Sequence, residues 1–422
     1  MALGTLKLSD YDISPQFGFL PCDVIGIPPL GLYYKPWQDI SENLPNLLAS
    51  NRLRAEVDGL PILSCKDLRS IPEQRRAYSI LAFISQAYIW AENLPAKRIP
   101  PSVSIPFLSI CKSLNLPPVA TPDRLDNLAT LTTFTGAIDE SWFYLISVAI
   151  EAKGGPLIAS AVEATNLSRA GRTDLVAIQL DKLAAGIVDL KTVLQRIYEN
   201  CDPHFFSNKL RRFLAGSKNM AKFGLPDGVI FDEGTGNVRT VKLSGGSNAQ
   251  SSLFQFFDVA LGVTHRVGEC GGAHQKNKIS NRDTVASPGN LEDGCRHVKT
   301  VNDQNYLSEI RQYMPERHRQ FLDDFAAVAN IRQFVENNLQ NEALVLAYDA
   351  CISALVQFRN THMAIVSQYV IAPAQVKAVH QHQSDPTTIH LYGTGGTALI
   401  PFLRLVRNET RESAINGNCT AR

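Results

Sequence analysis

The sequence predicts an all-helical protein, and three observations support this fold class. Apolar residues recur at steps of three and four along most of the chain, as on the buried face of an amphipathic helix. Strand patterns are almost absent, and only 229–243, with VIFDEG and VRTVKL, has the composition of a small hairpin. The third observation is the stretch 341–373, which has helix-forming composition throughout and no glycine or proline before Pro373, where we expect it to end.

Composition and charge exclude several classes of protein. The chain has 422 residues, of which 45% are hydrophobic and 19% charged, as is typical of a globular protein with two domains. The net charge of +1 gives no reason to expect binding to nucleic acid or a membrane surface. We expect no signal peptide, and the apolar run 142–150 is too short to cross a bilayer. Eight scattered cysteines predict no disulfide framework, so we expect a cytoplasmic location.

The helical pattern is interrupted at a few places. Residues 1–40, rich in proline, glycine and aromatic residues, are expected to lie extended on the body of the protein, and the prolines of 98–105 to break the chain. The polar stretch 266–304 predicts a disordered insertion, and 375–389 predicts a loop. We expect helices over 39–55, 71–94, 107–114, 140–152, 156–165, 174–199, 306–314, 318–328, 330–340 and 397–407.

One histidine lies in an otherwise apolar face of the long helix 341–373. The residues that share this face are Tyr348, Cys351, Leu355, Phe358, His362, Ile365 and Tyr369. A histidine in such a place is more often a core residue bonded to a backbone carbonyl than a metal ligand. The pattern alone therefore favours a structural role for His362 and leaves the ligand role open.

Three further stretches have the composition of a small-molecule site. HFFSNKLRRFLAG (204–216) combines aromatic residues with two arginines, which suits an aromatic substrate that carries a carboxylate. The small residues that begin 244–262 allow the backbone to approach a flat ligand. YGTGGTALIPFLRLV (392–406) places a glycine-rich turn before a helix, where backbone N–H groups can hold an anion. A flexible loop with a threonine cap is the alternative for that turn.

A zinc site is a further alternative within the polar stretch 266–304. Its ligands would be Cys270, His274, Cys295 and His297. Their spacing fits no established zinc finger, and the stretch lacks apolar residues to fold around the metal, so we do not favour this interpretation.

Together these stretches resemble the indoleamine 2,3-dioxygenase family, nearest to its filamentous-fungal branch. The matching pieces follow the family's order over most of 100–410: DESWFYLISVAIE, HFFSNKLRRFLAGSKN, GGSNAQSSLFQFFDVALG, RQYMPERHRQFL, AYDACISALVQFRNTHMAIVSQY and GTGGTALIPFLRLVRNET. The resemblance implies one haem b in a large helical domain at 135–412. A smaller, mainly helical domain at 1–134 would cover the distal side of the haem, and 413–422 would be a tail.

The resemblance also implies an activity. Family members cleave the indole C2–C3 bond of L-tryptophan with O2 and give N-formyl-L-kynurenine, on the kynurenine pathway towards NAD. We therefore expect a monomeric, haem-dependent dioxygenase that acts on L-tryptophan or a related indoleamine. It would need an electron donor that keeps the iron ferrous, and neither nucleic acid nor a membrane would be a partner.

Residue by residue, the resemblance assigns both sides of the haem. On the proximal side, His362 matches the iron ligand, Arg359 lies one turn earlier to pair with a propionate, and Asp258 matches an acidic residue of the haem environment. On the distal side, Phe143 and Ser147 match the wall over O2 and the indole ring.

The remaining assignments concern the substrate. Phe206 and Arg211 match an aromatic wall and the guanidinium that binds the substrate carboxylate. The other substrate-binding matches belong to two loops, the small-residue loop beside the haem and a mobile loop that closes over the substrate: Ser247, Asn248, Ala249, Gly393 and Thr394. Asn248 and Ala249 stand where the family more often has Ala–Gly.

The chain departs from the family pattern at two places. After LPPV (116–119) the family continues with a tyrosine-containing helix that lines the distal pocket, whereas ATPDRLDNLATL follows here. The shortened segment near 120–126 predicts a distal pocket that lacks one wall. The insertion at 267–303 replaces a much shorter connection. Two alternatives to tryptophan cleavage stay open: a haem-binding paralogue without activity, and a dioxygenase for a modified indole in secondary metabolism.

Overall fold

The computed structural model describes residues 6–20, 29–118, 132–265, 306–380 and 399–416, and this part of the chain is mainly helical. The predicted all-α fold class is confirmed. The α-helices are α1 (Lys35–Glu42), α2 (Leu44–Ala49), α3 (Leu53–Asp58), α4 (Ile71–Trp90), α5 (Pro101–Leu114), α6 (Ile138–Arg169), α7 (Thr173–Gln195), α8 (Ile197–Asn200), α9 (Pro203–Phe205), α10 (Ser252–Ala260), α11 (Tyr306–Arg311), α12 (Glu316–Ala326), α13 (Ile331–Glu336), α14 (Glu342–Val366), α15 (Ala372–His380) and α16 (Leu399–Arg411).

Three long helices form the centre of the fold. Helix α7 packs against both α6 and α14, and α16 also packs against α14. The predicted apolar stripe of α7 is buried, with Leu180, Leu183, Ile187 and Leu190 fully enclosed. Because three such faces meet, the apolar surface that each helix cannot bury alone is removed from water.

Helix α6 is one helix of 32 residues, so the prediction of two helices, 140–152 and 156–165, with a break at 153–155 is wrong. A Cβ atom on Gly155 would overlap the backbone of Gly18, and one on Gly154 would overlap Leu253. The glycines therefore allow the N-terminal segment and α10 to lie directly against α6, and they do not end the helix.

The apolar run 142–150 is part of α6, which is long and apolar enough to cross a membrane by length and composition. The length argument against a membrane span therefore does not hold. Half of the most apolar 18-residue stretch of α6 is buried inside the protein, and the helix carries two buried carboxyl groups, Glu140 and Glu151. Because one face of α6 packs on α7 and α10, we interpret it as a core helix.

Two predictions made from prolines are also wrong. The chain does not end its helix at Pro373: a π-helical turn, Ser367–Ile371, joins α14 to α15, and the first part of the predicted loop 375–389 is helical to His380. Pro373 closely follows the π-helical turn, at the end of which the Ala372 N–H donates to the Ser367 carbonyl, and the helical run continues through it. The predicted interruption at 98–105 is likewise too long: the chain is non-helical up to Pro100 and contains the strand Arg98–Ile99, but α5 already begins at Pro101.

The predicted hairpin is confirmed and belongs to a small sheet. Strands β2 (Val229–Asp232) and β3 (Val238–Val241) pair antiparallel, and β1 (Arg98–Ile99) pairs parallel to β2. One buried apolar cluster extends from Tyr11 to Val370 and includes residues of both predicted domains. The domain boundary near residue 134 stays a prediction. The insertion 267–303, the shortened segment near 120–126 and the zinc alternative lie outside the described residues.

Candidate functional site

A cavity of about 260 Å³ lies at the centre of the helical core. Its walls come from α6, the turn after α9, the loop 244–251, α10, α14 and α16. The predicted site residues that line this cavity are Phe143, Ser147, Phe206, Arg211, Ser247, Ala249, Asp258, Arg359 and His362. Asn248 begins the short 3-10 turn that contains Ala249. Gly393 and Thr394 lie outside the described residues, so their position stays a prediction.

His362 faces the cavity from α14 with its neighbours Phe358, Ile365 and Val366. The ring is deep within the protein, and its accessible surface is cavity wall. Burial, together with the positive charge of Arg359, lowers the pKa of His362 to about 4. No described residue forms a hydrogen bond with the ring, so the core role favoured by its pattern is not supported. The imidazole is neutral at physiological pH, with nitrogen lone-pair electrons available for a ligand in the cavity.

Arg359 lies one turn before His362 and also lines the cavity. Its Nη2 atom donates to both carboxylate oxygens of Asp258, at 2.7 and 2.8 Å. Its Nη1 atom is buried and has no hydrogen-bond partner among the described residues. A buried N–H group without a partner costs about 1–3 kcal/mol. The guanidinium thus retains a donor that an anionic group in the cavity would satisfy.

Two residues that the sequence did not reveal complete this ion-pair group. His265 contacts Asp258 through Nε2 at 3.0 Å and Glu409 through Nδ1 at 2.7 Å. Burial alone would raise the pKa of Asp258, but the Arg359 and His265 charges lower it. Burial also opposes protonation of His265, yet Asp258 and Glu409 raise its pKa above the ordinary value. No pattern in the sequence of α16 indicates that its Glu409 contacts a histidine 144 residues earlier in the chain.

Aromatic rings form the wall across from the loop 244–251. The Phe143 and Phe206 ring centroids are 5.0 Å apart, and those of Phe206 and Tyr369 are 5.8 Å apart in an edge-on arrangement. The hydroxyl of Tyr369 donates to the carbonyl of Cys201 at 2.6 Å, so the polar end of this ring is bonded to the backbone. Phe206 and Tyr369 both lie in π-helical turns, which often occur at functional sites. This wall offers a flat apolar surface to an aromatic ligand.

Arg211 follows the π-helical turn Phe206–Leu210 and reaches the cavity beside Phe206. Burial lowers the pKa of its guanidinium, but an arginine remains charged at neutral pH. A cation at the edge of an aromatic wall is suited to a ligand with a planar ring and a carboxylate.

The small-residue loop 244–251 is shaped by its own side chains. Ser247 accepts a hydrogen bond from the Ala249 N–H at 3.2 Å, and Gln250 donates to the Gly245 carbonyl at 3.1 Å. Tyr313 accepts from the Ser244 N–H at 2.8 Å. These bonds satisfy backbone groups that would otherwise lie unpaired in a buried loop. The loop therefore presents Ser247 and Ala249 to the cavity with little side-chain bulk.

Glu151 is a second group that the sequence did not reveal. It lies one turn after Ser147 on α6 and lines both the central cavity and a neighbouring cavity of about 710 Å³. The Ser251 hydroxyl donates to its Oε1 atom, and Oε2 is buried without a described partner. Burial raises the pKa of Glu151 to about 7, partly offset by the bond from Ser251.

This raised pKa predicts a dependence of stability on pH. Below pH 4.5, Glu151 is protonated whether the chain is folded or unfolded, whereas above pH 7 folding must bury a carboxylate. We expect the free energy of unfolding of the wild-type apoprotein, relative to Glu151→Gln, to fall by about 2.5 kcal/mol from pH 5 to pH 8. Urea denaturation at several pH values measures this difference. Glu163→Gln, at an exposed position of α6, is the control, and a pH-independent difference for Glu151→Gln would contradict the prediction.

The residues that face the cavity fit a haem. The neutral imidazole of His362 can bind iron, and the unpartnered Nη1 atom of Arg359 can pair with a propionate. The apolar walls suit a flat macrocycle. Among the described residues no group of three or more His, Cys, Asp or Glu side chains is arranged to hold a metal ion.

The fold and the cavity define a class of helical protein in which a buried histidine and an aromatic wall line one central cavity. Comparison with known proteins identifies the family: the model described as indoleamine 2,3-dioxygenase matches residues 7–413. An indoleamine 2,3-dioxygenase of Saccharomyces cerevisiae is 36% identical over 96% of this chain and 93% of its own. A 6-hydroxytryptophan 2,3-dioxygenase of Fusarium equiseti is 33% identical over 96% and 98%. Human indoleamine 2,3-dioxygenase 2 is 30% identical over 97% and 96%.

The chain belongs to the indoleamine 2,3-dioxygenase family, as its motifs predicted. It is thereby a dioxygenase, an oxidoreductase that incorporates two oxygen atoms. The family is haem-dependent.

Proposed function

We propose that this protein uses haem b and O2 to cleave the indole C2–C3 bond of L-tryptophan, which gives N-formyl-L-kynurenine. One observation carries the proposal: a single cavity brings together a neutral imidazole, an aromatic wall and two guanidinium groups. One haem b per chain, a monomeric state and a cytoplasmic location are parts of this proposal.

The proximal residues would hold the cofactor. His362 binds iron as a neutral ligand, and Arg359 pairs through Nη1 with a propionate. Haem, when bound, supplies the activation of O2, which no amino-acid side chain provides. The chain contributes the ligand, the counter-charge and a site with few polar groups.

The distal residues would orient the substrate. The rings of Phe143 and Phe206 contact the indole, and Arg211 binds the carboxylate, so the ring is held at one position and angle. The Ser147 hydroxyl lies 3.5 Å from the Phe143 carbonyl, within its own helix. This contact is long for a hydrogen bond between a hydroxyl and a carbonyl, so the hydroxyl can turn towards a bound ligand.

The test is turnover by the haem-loaded protein. The chain is expressed with haem, reduced with ascorbate, and supplied with L-tryptophan and O2. We expect a Soret band that shifts when L-tryptophan binds, and N-formyl-L-kynurenine detected by absorbance and mass spectrometry. A fully haem-loaded ferrous protein that forms no product would refute the proposal and favour a haem-binding paralogue without activity.

A second candidate is a dioxygenase for a modified indole. It is favoured by the relative from Fusarium equiseti whose name specifies 6-hydroxytryptophan. Steady-state kinetics with L-tryptophan and 6-hydroxy-L-tryptophan distinguish the two candidates. A higher kcat/KM for the hydroxylated substrate would support the second.

A further inference from the structure

Four ionisable side chains from four separate segments meet at the wall of the central cavity, where Asp258 and Arg359 line it. Arg359 comes from α14, Asp258 from α10, His265 from the segment after α10, and Glu409 from α16. They form one chain of contacts, Arg359–Asp258–His265–Glu409, with distances between 2.7 and 3.0 Å. Their side chains are 12, 8, 12 and 3% exposed, so water contributes little to holding them in place.

Within these four side chains, the charges balance when His265 carries a proton. Asp258 and Glu409 contribute two negative charges, and Arg359 contributes one positive charge. With a neutral residue at position 265, the buried cluster would have a net negative charge, which would repel an anion approaching Arg359. A buried carboxylate without a balancing cation is also strongly unfavourable.

One donor of Arg359 is not used within the cluster. Asp258 uses both oxygens on the Nη2 atom, while Nη1 is buried, unpartnered among the described residues and part of a side chain that lines the cavity. Asp258 can hold this position only if its own orientation is fixed. His265 provides that constraint because its Nε2 atom contacts Oδ2 of Asp258, and Glu409 in turn orients the His265 ring through Nδ1.

We propose that His265 and Glu409 are positioning residues, which hold Asp258 and Arg359 so that the Arg359 Nη1 atom binds a propionate of the haem. Glu409 thereby connects the C-terminal helix α16 to the cofactor. The inference rests on the haem of the proposed function, but it does not depend on which indole is the substrate.

Haem dissociation is the measurement that tests this role. The full-length protein is loaded either with haem b or with its dimethyl ester, in which both propionates are esterified. Transfer to an excess of a haem-scavenging protein gives the dissociation rate of each. Variants His265→Gln and Glu409→Gln are compared with the wild type. His318→Gln, at another buried histidine that does not line the central cavity, is the control.

We expect His265→Gln to accelerate haem b dissociation about tenfold, a typical effect of removing an outer-shell partner. Dissociation of the dimethyl ester should change less than about twofold, because the ester offers Arg359 no anion. Glu409→Gln keeps an acceptor for the His265 ring but removes the charge. It should accelerate the dissociation of haem b by a smaller factor than His265→Gln does, and it should not accelerate the dissociation of the ester. His318→Gln should leave the ratio of the two rates at its wild-type value.

The ratio of the two rates distinguishes positioning from a general structural role. A variant that merely loosens the fold releases haem b and the ester faster by the same factor, and this outcome would overturn the inference. An unchanged haem b rate in His265→Gln would also overturn it and leave the proposed function intact. A wild-type chain that binds no haem would refute both.

Discussion

The substitution His362→Ala should abolish stable haem binding and, with it, all dioxygenase turnover. His362 faces the central cavity with a neutral ring, and among the described residues it is the only histidine that lines that cavity. Loss of the axial ligand should weaken haem affinity by ~100-fold or more, since coordination by an imidazole is the main directed bond between protein and iron. Titration of the apoprotein with haem, followed by the Soret band, measures the affinity.

Two further observations separate a ligand from a packing residue. Free imidazole should restore a Soret band to His362→Ala, because removal of the ring leaves space for imidazole beside the iron. Wild-type haem affinity should be insensitive to titration of His362 from pH 5 to pH 8 and should fall near pH 4, where a proton competes for the ring nitrogen. A His362→Ala protein with an unchanged haem spectrum would show that another residue binds the iron.

The substitution Arg211→Gln should have the second largest effect. We expect kcat/KM for L-tryptophan to fall by about 100-fold to 1,000-fold, because a buried carboxylate would lose its cation. Tryptamine lacks the carboxylate, so the wild type and the variant should turn it over at rates that differ by less than about threefold. Steady-state kinetics with both substrates measure the difference.

The neighbouring arginine provides the matched control. Arg212 is exposed, donates to the backbone carbonyls of Trp90 and Glu92, and does not line the cavity. Arg212→Gln should therefore keep wild-type kinetics with both substrates. An equal loss for tryptophan and tryptamine in Arg211→Gln would show that Arg211 supports the wall and does not bind the carboxylate.

Much of the helical framework could be predicted because helix formation is local. The apolar periodicity of α7 and of α14 is visible within single segments, and both helices are present near the predicted limits. The errors lie where a distant segment changes the meaning of a local signal. Gly155 is a helix breaker by composition, but in the structure it makes room for the backbone at Gly18.

The sequence by itself determined the fold class, the family and nine residues that meet at one cavity. Those residues lie in motifs, and a motif can be recognised without knowledge of what it contacts. Only the tertiary structure brought His265 and Glu409 to Asp258, and placed Glu151 against Ser251. Each of these residues is a common polar side chain in its own segment, and it acquires its partners only when the helices pack together and exclude water.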